Sequence, residues 1–112
     1  MKPFELVNAS SLDSALSQAK AGATLKAAGI DLLDRLKEGL EAPKRLVNLA
    51  TVPGLDSLAD HPKKGLTIGP LVTLARLASD PLVTRYPALQ QAAAAIATPQ
   101  IRNRATAAGN LC

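Results

Sequence analysis

Ala23-Thr24-Leu25-Lys26-Ala27-Ala28-Gly29-Ile30-Asp31-Leu32-Leu33 carries three local signals in succession. Ala23 to Ala27 reads as a short strand, and Ala28-Gly29-Ile30-Asp31 as a turn of mostly small residues. A helix follows, with Leu32, Leu33, Leu36 and Leu40 expected to face inward. A strand that passes through a glycine turn into a helix is the building unit of layered α/β proteins. The turn also presents backbone N–H groups at a helix N-terminus, where aligned peptide dipoles add partial positive charge, and this suits a phosphate. Alone, such a turn is ordinary chain reversal.

The same alternation extends outward on both sides. Ser10 or Ser11 is placed to cap a helix in which Leu12, Ala15, Leu16 and Ala19 fall on one face, and Gly22 ends it. Downstream of Gly39 and Pro43, Arg45-Leu46-Val47-Asn48-Leu49 reads as a buried strand, and Val52-Pro53-Gly54-Leu55 as a turn. Two short strands are predicted to pair as a hairpin across Lys63-Lys64-Gly65, with Leu66-Thr67-Ile68 alternating inward and outward. Thr73 is the expected cap of a helix through Leu74 and Leu77 that stops at Asp80-Pro81. Pro87 opens another, over Ala88 to Ala97. The predicted class is α/β (α+β), a small sheet flanked by helices.

With 112 residues and 11.6 kDa, the chain has room for one domain or part of one. Only 2% of residues are aromatic, so the core falls to Leu, Val, Ile and Ala, with Phe4 and Tyr86 as the only large rings. The net charge of +4 is spread over isolated groups, Lys44-Arg45, Lys63-Lys64 and Arg102 with Arg104. Without aromatics to stack bases, that pattern describes a solvated surface, and no nucleic-acid partner is expected. A single cysteine excludes an internal disulfide. The N-terminus has no secretory pattern, and the apolar run Ala92 to Ala97 is far too short for a membrane span, so a cytoplasmic chain without membrane contact is expected.

His61 lies between Asp60 and Pro62 in a polar turn, with no nucleophile or acid at a useful spacing, and is read as solvent-exposed. Cys112 cannot alone hold an iron–sulfur cluster, which takes four thiolates. Asp31 and Asp34 suit a helix N-terminus for dipole reasons. No catalytic residue and no metal site are expected. Chemistry in this chain must come from a bound cofactor.

A second informative stretch closes the sequence: Ala97-Thr98-Pro99-Gln100-Ile101-Arg102-Asn103-Arg104-Ala105-Thr106-Ala107-Ala108-Gly109-Asn110-Leu111-Cys112. Its small residues from Ala105 to Asn110, with a hydroxyl at Thr106 and an amide at Asn110, read as a loop that brings backbone N–H groups close to a ligand. It resembles the "SPQIRNxATxGGNLC" segment of the FAD-binding medium subunit of the molybdenum hydroxylases, the family of xanthine dehydrogenases, carbon monoxide dehydrogenases and aldehyde oxidoreductases. Met1-Lys2-Pro3-Phe4-Glu5 with Ser11-Leu12-Asp13-Ser14-Ala15-Leu16 resembles the family's start. Leu66-Thr67-Ile68-Gly69-Pro70-Leu71-Val72-Thr73-Leu74 resembles its "LRIGALTTL" element. The resemblance covers nearly all of the chain.

It implies that residues 1–112 are the N-terminal part of a PCMH-type, vanillyl-alcohol-oxidase-like FAD-binding domain, with the remainder of the domain absent. It also implies a cofactor, FAD, whose pyrophosphate is wrapped by the family's "AGGTD" loop and approached from the other side by "ATxGGN". Carried over, the first segment is Thr24, Leu25, Lys26, Ala27, Ala28, Gly29, Ile30, Asp31 and Leu32, and the second is Thr106, Ala107, Ala108, Gly109 and Asn110. Ala28 and Ala108 stand where the family usually has glycine, and Ile30 where it has threonine. If Ala28 had to adopt positive φ, the strain would be on the order of 1 kcal/mol, and Ala28→Gly is expected to strengthen FAD binding. The family places most of the isoalloxazine ring against a following subdomain.

The implied partners are a large subunit with the molybdenum cofactor and a small subunit with two-iron clusters, from which electrons pass through FAD to an external acceptor. The alternative is a truncated or degenerate chain that binds no flavin and acts at most as a subunit-interaction module.

Overall fold

The computed structural model describes residues 1–112, and the chain divides into two units, Met1–Pro53 and Gly54–Cys112. In the first, β1 (Glu5–Asn8), α1 (Leu12–Lys20), β2 (Thr24–Lys26), α2 (Ile30–Lys37) and β3 (Arg45–Asn48) follow one another. The three strands form a parallel sheet in the order β1-β3-β2. The crossover from β1 to β2 runs one way across the sheet and that from β2 to β3 runs back. Right-handed connections therefore place α1 and α2 on opposite faces. β3, in the middle, is covered on both, and its successive residues Leu46 and Val47, which point to opposite faces, are both fully buried.

Local signals set the helix ends. Ser11 caps α1, its Oγ accepting from the Ser14 N–H at 3.1 Å. The buried face of α1 differs from the predicted one. Ala15 is fully buried with Gln18 and Ala19 half-buried, while Leu12 and Leu16 stay 47% and 45% exposed. A small residue at the contact lets the helix approach the sheet closely, and the leucines fall to its flanks. In α2 only Leu36 is buried among the four leucines expected inward. Leu32 is half-buried, Leu33 is on the rim, and Leu40 lies beyond the helix and is exposed. Eight helical residues over a three-stranded sheet leave room for one central leucine.

In the second unit, β4 (Leu58–His61) and β5 (Gly65–Ile68) form the predicted antiparallel hairpin. Behind it come α3 (Leu74–Ser79), a 3-10 turn at Pro81–Val83, α4 (Pro87–Ala95), α5 (Pro99–Arg102) and α6 (Ala107–Leu111). Leu58, Val72, Leu77, Val83 and Ala93 make its core, with Leu66, Ile68 and Leu89 packed against them. The capping signals hold: the Thr73 hydroxyl accepts from the Arg76 N–H, and Pro87 opens α4. Tyr86 donates its phenolic O–H to Asp60 Oδ1 at 2.8 Å, while Arg85 donates to Asp60 Oδ2 at 2.8 Å. The hydrogen bond to the Asp60 carboxylate holds the phenol above its ordinary value, with burial and the carboxylate charge adding and Arg85 opposing. His61 is exposed at the end of β4, and Cys112 is exposed. No helix is long and apolar enough to cross a membrane.

Ala97 is the one non-glycine residue with positive φ, at 51°. Arg102 holds it there, donating from Nη1 to the carbonyls of Ile96 at 2.8 Å and Ala97 at 3.2 Å. Glycine adopts that conformation without the Cβ clash. Ala97→Gly is therefore expected to stabilise the chain by about 1 kcal/mol, read as a raised midpoint in urea unfolding. An unchanged or lowered midpoint contradicts strain at this position.

Candidate anion-binding site at the carboxyl edge of the parallel sheet

β1, β2 and β3 end on Asn8, Lys26 and Asn48. Their register sets Lys26 beside Asn48 and Asn48 beside Asn8, and the Asn48 amide donates to Asn8 Oδ1 at 2.9 Å. A polar row thus lines the carboxyl edge of a doubly wound sheet, the edge at which such folds bind ligands. The two asparagines were not singled out from sequence. The signal was present, an asparagine ending each of two short apolar runs, but only strand pairing makes it a row.

From Lys26 the chain enters the turn. Gly29, at φ 84° and ψ 14°, is left-handed and caps α2 with no side-chain hydrogen bond. The N–H groups of Ala27, Ala28, Gly29, Ile30, Asp31 and Leu32 donate to no protein acceptor. The first to do so is that of Leu33, to Gly29 O at 3.0 Å. Gly29 is buried, Ala27, Ala28, Ile30 and Leu32 are half-buried, and Asp31 is exposed. Unpartnered donors on partly buried backbone at the positive end of a helix match an anion with several acceptor oxygens. A Cβ on Gly29 would stand 3.1 Å from Lys26 Cε, so the turn also closes tightly on its own strand. Thr24 and Leu25 lie upstream, inside β2 and paired with Leu46 and Val47.

Ala28 corrects one expectation. Its φ is not positive, and neither is that of Ala108, because Ala97 is the only non-glycine in that region. The single left-handed position in the turn is filled by Gly29, so replacing Ala28 with glycine relieves no strain.

The second segment is more ordered than the predicted loop. Ala107–Leu111 is the helix α6, and Thr106 is its cap. The N–H of Ala107 is taken by Val72 O at 3.2 Å, that of Gly109 by Thr106 Oγ1 at 3.0 Å, and that of Asn110 by Thr106 O at 3.0 Å. The Ala108 N–H has no protein acceptor. Thr106, which the sequence marks as a ligand, is 5% exposed, and its Oγ1 serves as the helix cap. Gly109 is required for closeness: a Cβ there would lie 2.8 Å from Thr106 Oγ1 and displace the cap. Small residues permit a close turn for either purpose, so composition alone does not separate an open loop from a capped helical turn.

The first unit is thus a parallel three-stranded sheet with a glycine turn of unpartnered N–H groups after its second strand, and a hairpin-and-helix unit follows it in the chain. The family described as "FAD binding domain in molybdopterin dehydrogenase" matches residues 2–112. The chain belongs to that family, whose cofactor is FAD. It is 38% identical over 109 residues to the aldehyde oxidoreductase FAD-binding subunit PaoB of Escherichia coli, covering 96% of this chain and 34% of that protein. It is 34% identical over 97 residues to the carbon monoxide dehydrogenase medium chain of Hydrogenophaga pseudoflava, covering 86% of this chain and 33% of that one. Among solved structures, quinoline 2-oxidoreductase from Pseudomonas putida 86 superposes with a TM-score of 0.90 at 32% identity, over 99% of this chain and 40% of that one. The chain therefore spans about a third of the length of the relatives it matches. These relatives are subunits of oxidoreductases.

Proposed function

We propose that this chain holds the pyrophosphate of FAD in an electron-transfer subunit of a molybdenum-containing hydroxylase. The observation that carries the reading is the run of unpartnered N–H groups from Ala27 to Leu32 around left-handed Gly29, in a chain of the FAD-binding family. Backbone donors from this turn bind and orient the two phosphates, and the α2 dipole favours their charge. Ala28 and Ile30, which differ from the family's usual residues, contribute through their backbone N–H. In the second unit, taken by itself, the Thr106–Asn110 segment has fewer free donors. The Ala108 N–H and the Thr106 hydroxyl hydrogen are the groups it has to offer.

Bound FAD supplies two-electron and one-electron redox chemistry in one group, which lets it join an obligate two-electron oxidation to single-electron carriers. The partners in this reading are a large subunit with the molybdenum cofactor and a small subunit with two-iron clusters. Its support is the similarity to proteins named as FAD-binding subunit and medium chain. Purification of the chain in its native complex tests the reading. A flavin absorption band whose chromophore is released on denaturation and identified as FAD is the expected result. A complex without flavin that takes up no added FAD sinks it and leaves a subunit-interaction module.

A further inference from the structure

The geometry points to the Lys26 side chain as a direct ligand of the cofactor pyrophosphate, adding a fixed positive charge to the backbone donors; this inference rests on the reading of the turn as an FAD site. Lys26 ends β2 and is half-buried. Its stem folds back over the turn, with Cε 3.1 Å from the position a Gly29 Cβ would take. Its Nζ reaches only the carbonyl of Ala27, at 3.3 Å, and it joins none of the chain's ion pairs. A partly desolvated ammonium with one weak acceptor has two donor hydrogens left over. They lie in the same turn as the unpartnered N–H groups of Ala27 to Leu32.

Neutral amides alone bind a dianion through dipoles, whereas an ammonium at the same place compensates net charge and makes charge-assisted bonds. Ile30, in the same turn, has an apolar side chain and no hydroxyl to offer the phosphates. Since the ammonium recognises phosphate charge and not the flavin, inorganic pyrophosphate is recognised by the same groups.

Lys26→Met tests this, because methionine keeps much of the stem over Gly29 and removes the charge. Lys26→Arg keeps the charge. Affinity for FAD is read from flavin fluorescence on titrating the flavin-free complex at low and high salt. Thermal melting of the same complex with inorganic pyrophosphate, against chloride at equal ionic strength, is a second readout. The expected result for Lys26→Met is a rise in Kd of about tenfold, a weaker salt dependence and loss of pyrophosphate protection, with an unchanged melting point in ligand-free buffer. Lys26→Arg keeps FAD affinity within about threefold of wild type. If Lys26→Met binds FAD with wild-type Kd and salt dependence, the inference is overturned while the proposed function stands. If wild-type protein takes up no FAD, both fall.

Discussion

Gly29→Val abolishes measurable FAD binding while leaving most of the chain folded. At φ 84° a β-branched side chain is a steric outlier, and Lys26 Cε and Leu33 Cγ stand 3.1 and 3.5 Å from where its Cβ would be. The turn must change conformation, and the backbone arrangement that leaves the N–H groups of Ala27 to Leu32 free to donate is lost. Losing two charge-assisted hydrogen bonds costs about 3–6 kcal/mol, at least a hundredfold in Kd. Gly22→Val is the control. Gly22 has φ 97° and nothing within 4 Å of its Cβ position, and it precedes β2 where Gly29 follows it. The control carries the same backbone penalty at the opposite end of the strand and keeps wild-type FAD affinity. Equal FAD titrations for the Gly29→Val and wild-type complexes remove the turn from the site.

Gly69→Ala produces the largest loss of stability among the Gly→Ala substitutions of the chain. Gly69 follows β5, and its N–H donates to Ser57 O at 2.8 Å, while the Leu71 N–H donates to Leu55 O at 2.8 Å. Two stretches of backbone are thus pressed together. A Cβ would collide with the Leu55 carbonyl oxygen and stand 2.9 Å from Ser57 N, and neither is the movable end of a side chain. Accommodating it breaks both hydrogen bonds or shifts the hairpin from the Leu58 and Val72 core. The expected cost is about 3 kcal/mol, which lowers the melting temperature by on the order of 10–20 °C. Circular dichroism melts check this, and a change under about 3 °C refutes the close approach. Gly29 and Gly69 are required for different reasons, one for a backbone angle and the other for space.

What the sequence determined alone was whatever is encoded within a few residues. Ser11, Thr73 and Pro87 announce their helices because a cap or a fixed φ acts on the next turn of chain. The strand–glycine–helix passage from Thr24 to Leu32 was legible for the same reason: the left-handed residue and the helix N-terminus it opens are neighbours in the chain. The motif resemblance added the family and FAD.

Tertiary structure decided what depends on partners far along the chain. β1 gave no clear local signal, because Glu5–Asn8 becomes a strand only by pairing with Arg45–Asn48, about forty residues away. The buried face of α1 centres on Ala15 and not on its leucines because the sheet sets the distance of approach. The Thr106–Asn110 stretch, open in sequence, is closed by the Thr73–Thr106 bridge and by Val72 O taking the Ala107 N–H. The need for glycine at position 69 comes from the Leu55–Ser57 backbone crossing it. Hydrophobic pattern and capping act locally and can be read in order. Register, close approach and the fate of each backbone N–H are set by which distant segments meet, and a linear pattern does not carry that information.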